Sequence, residues 1–363
     1  MIRLVGAVVA LTAVLTACAR AGPPAPVGAP PGSGRGPTPT STRPPPAVYP
    51  PAPSPSPTQS RPGALQLVVE PDAGFGPAYD QMASPTRGLD LVVYELVDPR
   101  AEAILAADAA RGVRVRVLLD RNLEESANAA AYRYLQARGV SVEWAGPSYA
   151  ATHEKAMVID GVRLVVMTAN LTARYYADTR DFVVVDGDGA DAAAADAAFN
   201  ADWGGGAAPA GVGDHLVWSP GSASELEGLI DGARHSLLVE NEEMSAPDLL
   251  SALTRAARRG VDVQVTMTSS AEWQRAFRQL EAAGVHVAVM AQDAALYVHA
   301  KAIVADPGMS DVRFFVGSEN FSVASLERNR ELGVISGDPT VAAALATVLA
   351  RDQAAAAPWT AGA

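Results

Sequence analysis

Two stretches of this chain combine residue types that can act together on a phosphate. The first runs His153-Glu154-Lys155-Ala156-Met157-Val158-Ile159-Asp160 and leads to Met167-Thr168-Ala169-Asn170. The second runs His299-Ala300-Lys301-Ala302-Ile303-Val304-Ala305-Asp306 and leads to Gly317-Ser318-Glu319-Asn320. Each then reaches an acidic residue that opens a strand-like run, Asp181 in the first and Glu331 in the second. Residues two apart on an extended chain share a face, so each His and its Lys address one point. The imidazole offers a nitrogen that can attack or carry a proton, and the ammonium offers a compact charge. Between Lys and Asp lies an apolar run, AMVI or AIVA, which predicts a buried strand and hence a rigid platform. The Asn, after a turn and one more strand, returns an amide donor to the same edge. One set gives half a phosphate pocket; two facing sets give a symmetric one.

Lysine usage singles out the same positions. The chain has only two lysines, Lys155 and Lys301, and every other basic side chain is arginine. A guanidinium is a broad planar fork whereas an ammonium is a point charge, so the pattern suggests a pocket too narrow for Arg.

The elements around the motifs repeat. In the first half Leu89–Glu95 predicts a strand, Pro99–Arg111 a helix closed by Gly112, and Val113–Asp120 a strand. A helix near Glu124–Arg138 and a strand at Val140–Trp144 follow. The second half has a helix at Glu225–Ala233, a strand at Ser236–Glu240, and a helix at Pro247–Arg259 closed by Gly260. Strand Val261–Thr266, helix Ala271–Ala283 and strand Val285–Met290 complete it. The copies match in wording, AARGVRVRVLLD against AARRGVDVQVTMT, about 150 residues apart, which is a duplicated domain and not a solenoid. Alternating β and α elements predict sheets covered by helices on their outer faces.

The doubled HxKxxxxD motif with its trailing Asn resembles the phospholipase D superfamily in its two-motif, single-chain form, over roughly Leu65 to Arg351. The resemblance implies an α/β fold of two similar halves about a pseudo-twofold axis, with the site between them. It also implies metal-independent cleavage of a phosphodiester through a covalent phosphohistidine, without a cofactor. On that resemblance His153 is the nucleophile and His299 the acid that protonates the leaving alcohol, then the base that activates water or another alcohol. Lys155, Lys301, Asn170 and Asn320 would hold the non-bridging oxygens, with hydroxyls from Thr168 and Ser318. Asp181 and Glu331 would orient the histidines, and Asp160 and Asp306 would be structural, capping the turn after the motif strand. The two sets are unequal. The first follow-on lacks the Gly-Ser of the second, its carboxylate is Asp, and the second motif has an extra loop at 307–311.

The rest of the chain concerns delivery. Residues 1–18 read as an export signal: a basic start, an apolar run too short to span a bilayer, and Leu15-Thr16-Ala17-Cys18, which resembles a lipobox. Cys18 is the only cysteine, so it has no disulfide partner; lipidation there would tether the protein to the outer face of the cell membrane. Residues 19–63 carry 16 of the 27 prolines and predict a disordered, semi-stiff spacer. The predicted divisions are then 64–203 for one half, 204–213 for a Gly/Ala linker and 214–355 for the other. A net charge of −12 and a pI of about 4.9 make nucleic acid an improbable substrate.

The function expected first is release of a phospholipid head group by a monomeric, membrane-tethered enzyme. A cardiolipin-synthase-like phosphatidyl transferase, a secreted endonuclease and a non-catalytic surface lipoprotein that binds phosphorylated ligands are the alternatives. His215, His235 and His286, which lack a Lys two residues on, are expected to be structural. Glu95, Asp120, Glu240, Glu242 and Glu243, just beyond strand ends, are expected to form a solvated acidic rim.

Overall fold

The structure is a computed structural model that describes residues 65–206, 213 and 215–361. The expected signal with Cys18, the Pro-rich spacer and most of the linker lie outside the described residues. Strands β1 (Leu65–Glu70), β2 (Gly88–Val93), β3 (Arg114–Leu119), β4 (Ser141–Trp144), β5 (Lys155–Ile159), β6 (Arg163–Met167) and β7 (Thr179–Asp186) form the first sheet. Their order is β1-β7-β6-β5-β2-β3-β4. Strands β8 (Leu216–Ser219), β9 (Ser236–Glu240), β10 (Asp262–Thr268), β11 (His286–Met290), β12 (Ala302–Ala305), β13 (Arg313–Gly317) and β14 (Glu331–Ser336) form the second, in the order β8-β14-β13-β12-β9-β10-β11. The two orders are the same, shifted by seven strands. In each sheet the three strands joined through crossover helices are parallel, and the motif strand and its neighbours are antiparallel.

Local chemistry explains the crossovers. The helix Pro99–Ala110 begins with Pro at its first position, and Asp98 accepts from the Arg100 amide at 2.9 Å. Gly112 (φ +90°) follows its end, as Gly260 (φ +92°) follows Pro247–Arg258. Both take the left-handed conformation that releases the chain into the next strand.

Three apolar clusters hold the layers. One fills the outer side of each sheet beneath the crossover helices. The third contains residues of both sheets together, including Val166, Phe182, Phe314 and Val334, and residues of the helices Gly189–Trp203 and Pro339–Ala355. Those two helices therefore belong to the layer that joins the halves. The crossover helices cover the outer faces as expected, and these two lie in addition between the sheets. Their Ala-rich sequences, ADAAAADAAFN and VAAALATVLA, suit them to it, because small side chains let a helix lie close to a sheet.

The same helices make the crossed ion pairs of the junction. Buried Arg330, in the second half, donates through Nε to Asp202 Oδ2 of the first half at 2.8 Å and stacks on Trp218 at 4.4 Å. Buried Arg180, in the first half, donates to Asp352 Oδ2 of the second half at 2.5 Å. Removing one partner of a buried pair strands the other charge. Arg330→Ala is therefore expected to lower stability by about 3–5 kcal/mol. Arg255→Ala, at the solvent-exposed pair with Asp231, should cost far less. Urea unfolding monitored by circular dichroism measures both, and equal losses would contradict the assignment.

Candidate active site

Each motif histidine sits just before its motif strand and is docked onto the opposite half. The His153 amide donates to the Arg330 carbonyl at 2.9 Å, and the Arg330 amide donates to the Ala151 carbonyl at 2.8 Å. In the other direction, Tyr297-Val298 pairs in parallel with Thr179-Arg180, and the His299 amide donates to the Arg180 carbonyl at 3.3 Å. The residue after each arginine is the carboxylate that meets the histidine. His153 Nδ1 lies 2.7 Å from Glu331 Oε2, and His299 Nδ1 lies 2.7 Å from Asp181 Oδ1. The orienting carboxylate of each histidine thus comes from the other half. With Nδ1–H donating to a carboxylate, each ring presents Nε2 to the pocket.

Burial and neighbouring charge set the protonation states. Burial pushes the His153 imidazole down to about 4; the Glu331 charge opposes this, and Lys155 and Lys301 add to it. Burial would raise Glu331 and Asp181, but their histidine partners and the nearby lysines outweigh it and hold both below the usual carboxylate range. A neutral imidazole beside an ionised carboxylate is the arrangement a nitrogen nucleophile needs.

Both lysines are fully buried, and each Nζ donates to the carbonyl of its own histidine, at 2.6 Å for Lys155 and 2.5 Å for Lys301. Asn170 and Asn320 reach the same level of the two sheets. Each has a buried Oδ1 without a donor, and Asn320 Nδ2 donates to Glu243 Oε1 at 3.1 Å. Thr168 and Ser318 correct their expected role as phosphate donors. Thr168 Oγ1 donates to Asp181 Oδ1 at 2.5 Å and accepts from the Phe182 amide, while Ser318 Oγ accepts from the Leu332 amide at 3.1 Å. Both hydroxyls are fully buried and committed to the strands that deliver the carboxylates. Asp160 and Asp306 are structural, though not by capping their own turn. Their carboxylates accept the backbone amides of Thr86, Arg87 and Gly88, and of Arg234, His235 and Ser236, which lead into β2 and β9. Their own backbones take positive φ, 55° and 53°.

The two half-pockets differ at one position that the sequence pattern did not flag. Val93 pairs with Lys155, and Glu240 pairs with Ala302, so Tyr94 and Glu242 are counterparts just past β2 and β9. In the first half the Tyr94 ring lies edge-on to His153 at 4.6 Å and 5.2 Å from Lys155 Nζ. In the second half Glu242 Oε2 lies 3.0 Å from Lys301 Nζ and 3.5 Å from His299 Nε2, and Tyr297 donates to Oε1 at 3.1 Å. Burial disfavours the Glu242 charge, but Lys301 and His299 outweigh it and hold this carboxyl far below its ordinary range. His299 accordingly has a carboxylate on each side, whereas His153 has one. The expected acidic rim is largely buried instead. Glu240 and Asp120 are almost inaccessible, and burial with the Glu242 charge pushes Glu243 up to about 7. Ser325 and Asn329, which donate to Glu331 Oε1 at 2.7 and 3.1 Å, also escaped the sequence reading. Ser325 lies in the short helix Val323–Glu327 and Asn329 in the turn after it, and only the fold brings them to Glu331.

The family model described as cardiolipin synthase, PLD-like domain, matches the chain twice, over residues 79–203 and 226–353. No curated protein matches the sequence. Among solved structures, a polyphosphate kinase from Porphyromonas gingivalis superposes with a TM-score of 0.62 at 15% identity, covering 80% of this chain and 50% of that one. This chain thus spans about half the length of that kinase. A phosphatidylserine synthase from Haemophilus influenzae superposes with a TM-score of 0.60 at 14% identity, covering 80% of this chain and 86% of the synthase. At such identities the likeness establishes the shared fold.

The burial of His153 makes a measurable prediction. By imidazole NMR its ring should remain neutral down to about pH 4, and Glu331→Gln should move the titration lower still, because the lost charge favours protonation. A wild-type titration near the unperturbed value of about 6.5 would count against this electrostatic picture.

Proposed function

Since the chain belongs to the phospholipase D-like family, we propose that it breaks the head-group phosphodiester of a phospholipid through a phosphohistidine on His153. The observation that carries this is the pair of crossed histidine–carboxylate bonds, which aim two Nε2 atoms into one pocket with a buried lysine beside each. In the first step His153 Nε2 attacks phosphorus, the bond to the head-group oxygen breaks, and His299 gives that oxygen its proton. In the second, His299 takes a proton from water, the water oxygen attacks phosphorus, and the N–P bond breaks to release phosphatidic acid and restore His153. Lys155 and Lys301 neutralise the charge that grows on the non-bridging oxygens. Glu242, with Oε2 3.5 Å from His299 Nε2, gives that ring a second carboxylate partner that His153 lacks, and this supports the unequal roles assigned to the two histidines.

A second reading, transfer to an alcohol, rests on the same intermediate and on the family description, which names cardiolipin synthase. It differs only in what His299 deprotonates in the second step. For the chain's start we propose that Cys18 is lipidated and holds the enzyme on the outer face of the membrane. Partition into the detergent phase that Cys18→Ala abolishes is the expected result.

Head-group release from phospholipid vesicles, with and without added glycerol, tests the main proposal. Wild type should turn over, with activity falling as pH drops through about 4, where His153 takes up a proton. His153→Asn should abolish turnover. His299→Asn should still form phosphohistidine with an activated aryl leaving group; labelling that persists in His153→Asn would overturn the nucleophile assignment. Glu242→Gln should slow release of an alkyl alcohol by about 10–100-fold and of nitrophenol much less, since only the alkyl oxygen needs the proton. Absence of release from every phospholipid tested would sink the proposal.

A further inference from the structure

A second group of ionisable side chains stands apart from the motif histidines. Strand β7 carries Asp181 near its start and Asp186 at its end, about 16 Å further along an extended chain. Asp186 is fully buried; its Oδ1 accepts from the Asp188 amide at 2.7 Å, and its Oδ2 meets no hydrogen-bond donor among the described residues. Asp191, in the first turn of the helix Gly189–Trp203, is also fully buried. Its carboxylate meets His215 twice, Oδ1 accepting from the backbone amide at 3.2 Å and Oδ2 facing Nδ1 at 2.7 Å. One ligand-capable atom from each of Asp186, Asp191 and His215 lies within 4.8 Å of the others.

Two carboxylates enclosed together, with one oxygen that meets no donor among the described residues, are relieved by a bound cation or by a shared proton between them. We infer that Asp186, Asp191 and His215 bind one zinc-like divalent ion that clamps the end of the first half to the start of the second. An imidazole with two carboxylate oxygens is a donor set for zinc, whereas magnesium and calcium prefer all-oxygen shells. Bonds of about 2.0–2.2 Å put ligand atoms about 3.3 Å apart, so the gap between His215 Nδ1 and Asp191 Oδ2 need widen by only about 0.6 Å. His215 is a third exposed and opens onto a cleft lined also by Gly213, Leu216 and Arg313, which leaves room for access and for a water as fourth ligand. The histidine is itself fixed, because its carbonyl accepts from the Ile335 amide of β14 at 2.8 Å. The ion would therefore join β7 and its following helix to the sheet of the other half. Neither aspartate is near His215 in the chain, so only the fold brings the three together.

The test uses the full, untagged chain, stripped with EDTA and returned to chelator-free buffer. Zinc titrated by calorimetry should bind with one ion per chain and raise the melting temperature. His215→Ala and Asp186→Asn should each weaken that affinity about 100-fold or more, whereas His153→Asn should retain it. Because Asp186→Asn alters a buried site, circular dichroism should accompany it; the partly exposed His215 gives the second variant, which keeps the fold. Three results would overturn the inference. Wild type would take up no stoichiometric zinc, meaning that a shared proton alone fills the site. His215→Ala would bind as tightly as wild type. Or His153→Asn would abolish binding, placing the ion in the phosphate pocket.

Discussion

The structure depends on an exchange between its halves: each motif histidine takes its orienting carboxylate from the other sheet. His153 with Glu331 and His299 with Asp181 are short, buried, charge-assisted bonds, stronger than neutral ones and costly to leave unmade. They form only when β7 and β14 lie against the opposite motif segment. The backbone achieves this by hydrogen bonds to the carbonyls of Arg180 and Arg330, and those two arginines are pinned by Asp352 and Asp202. Packing, register and protonation are therefore one construction. A shift of one residue in either docking would turn the carboxylate to the other face of its strand and leave the histidine without a partner.

Duplication gives this arrangement its symmetry, and one substitution breaks it. The scaffold repeats strand for strand, yet a phenol ring stands beside Lys155 where a carboxylate stands beside Lys301. A two-step displacement needs two unlike imidazoles, one neutral to attack and one protonated to give up its proton. Identical surroundings would give both rings the same preference. Tyr94 adds no charge, and burial with two lysines leaves His153 neutral; Glu242 brings a second negative charge to His299. The inequality that the sequence shows in the follow-on residues and in Asp181 against Glu331 is less consequential than this one, which lies outside both motifs.

Much of the architecture was legible because the governing signals are local. Apolar period, a Pro at a helix start and a Gly past its end place most crossover units within a residue or two, the helix Gln274–Ala282 starting three residues later than expected, and the matching words reveal the repeat. The motifs stand out in the sequence for the same reason, since a His and Lys two apart on an extended segment share a face. What escaped depends on contacts distant in the chain. Thr168 and Ser318 sit at the right height for a phosphate, but the next strand claims their hydroxyls, and no spacing rule says so. Glu242 looks like a solvated acid until Lys301, 59 residues on, is brought within 3.0 Å of it. The helices that join the halves are so rich in alanine that their hydrophobic face is nearly featureless, and only packing shows which layer they occupy.

The crossing also explains why so much charge lies buried in an otherwise apolar junction. Taking a lysine or carboxylate out of water is costly unless partners replace the lost hydration, and here both motif lysines and both orienting carboxylates find partners in place. Lys155 and Lys301 meet backbone carbonyls, and Asp181 and Glu331 meet imidazoles and hydroxyls. Both imidazoles among those partners belong to the opposite repeat. One repeat alone would expose a histidine without its carboxylate and a carboxylate without its histidine, at the apolar face that joins the sheets. The pocket and the junction are therefore the same surface, and whatever stabilises the contact between halves also preorganises the site for the charge that a phosphate brings.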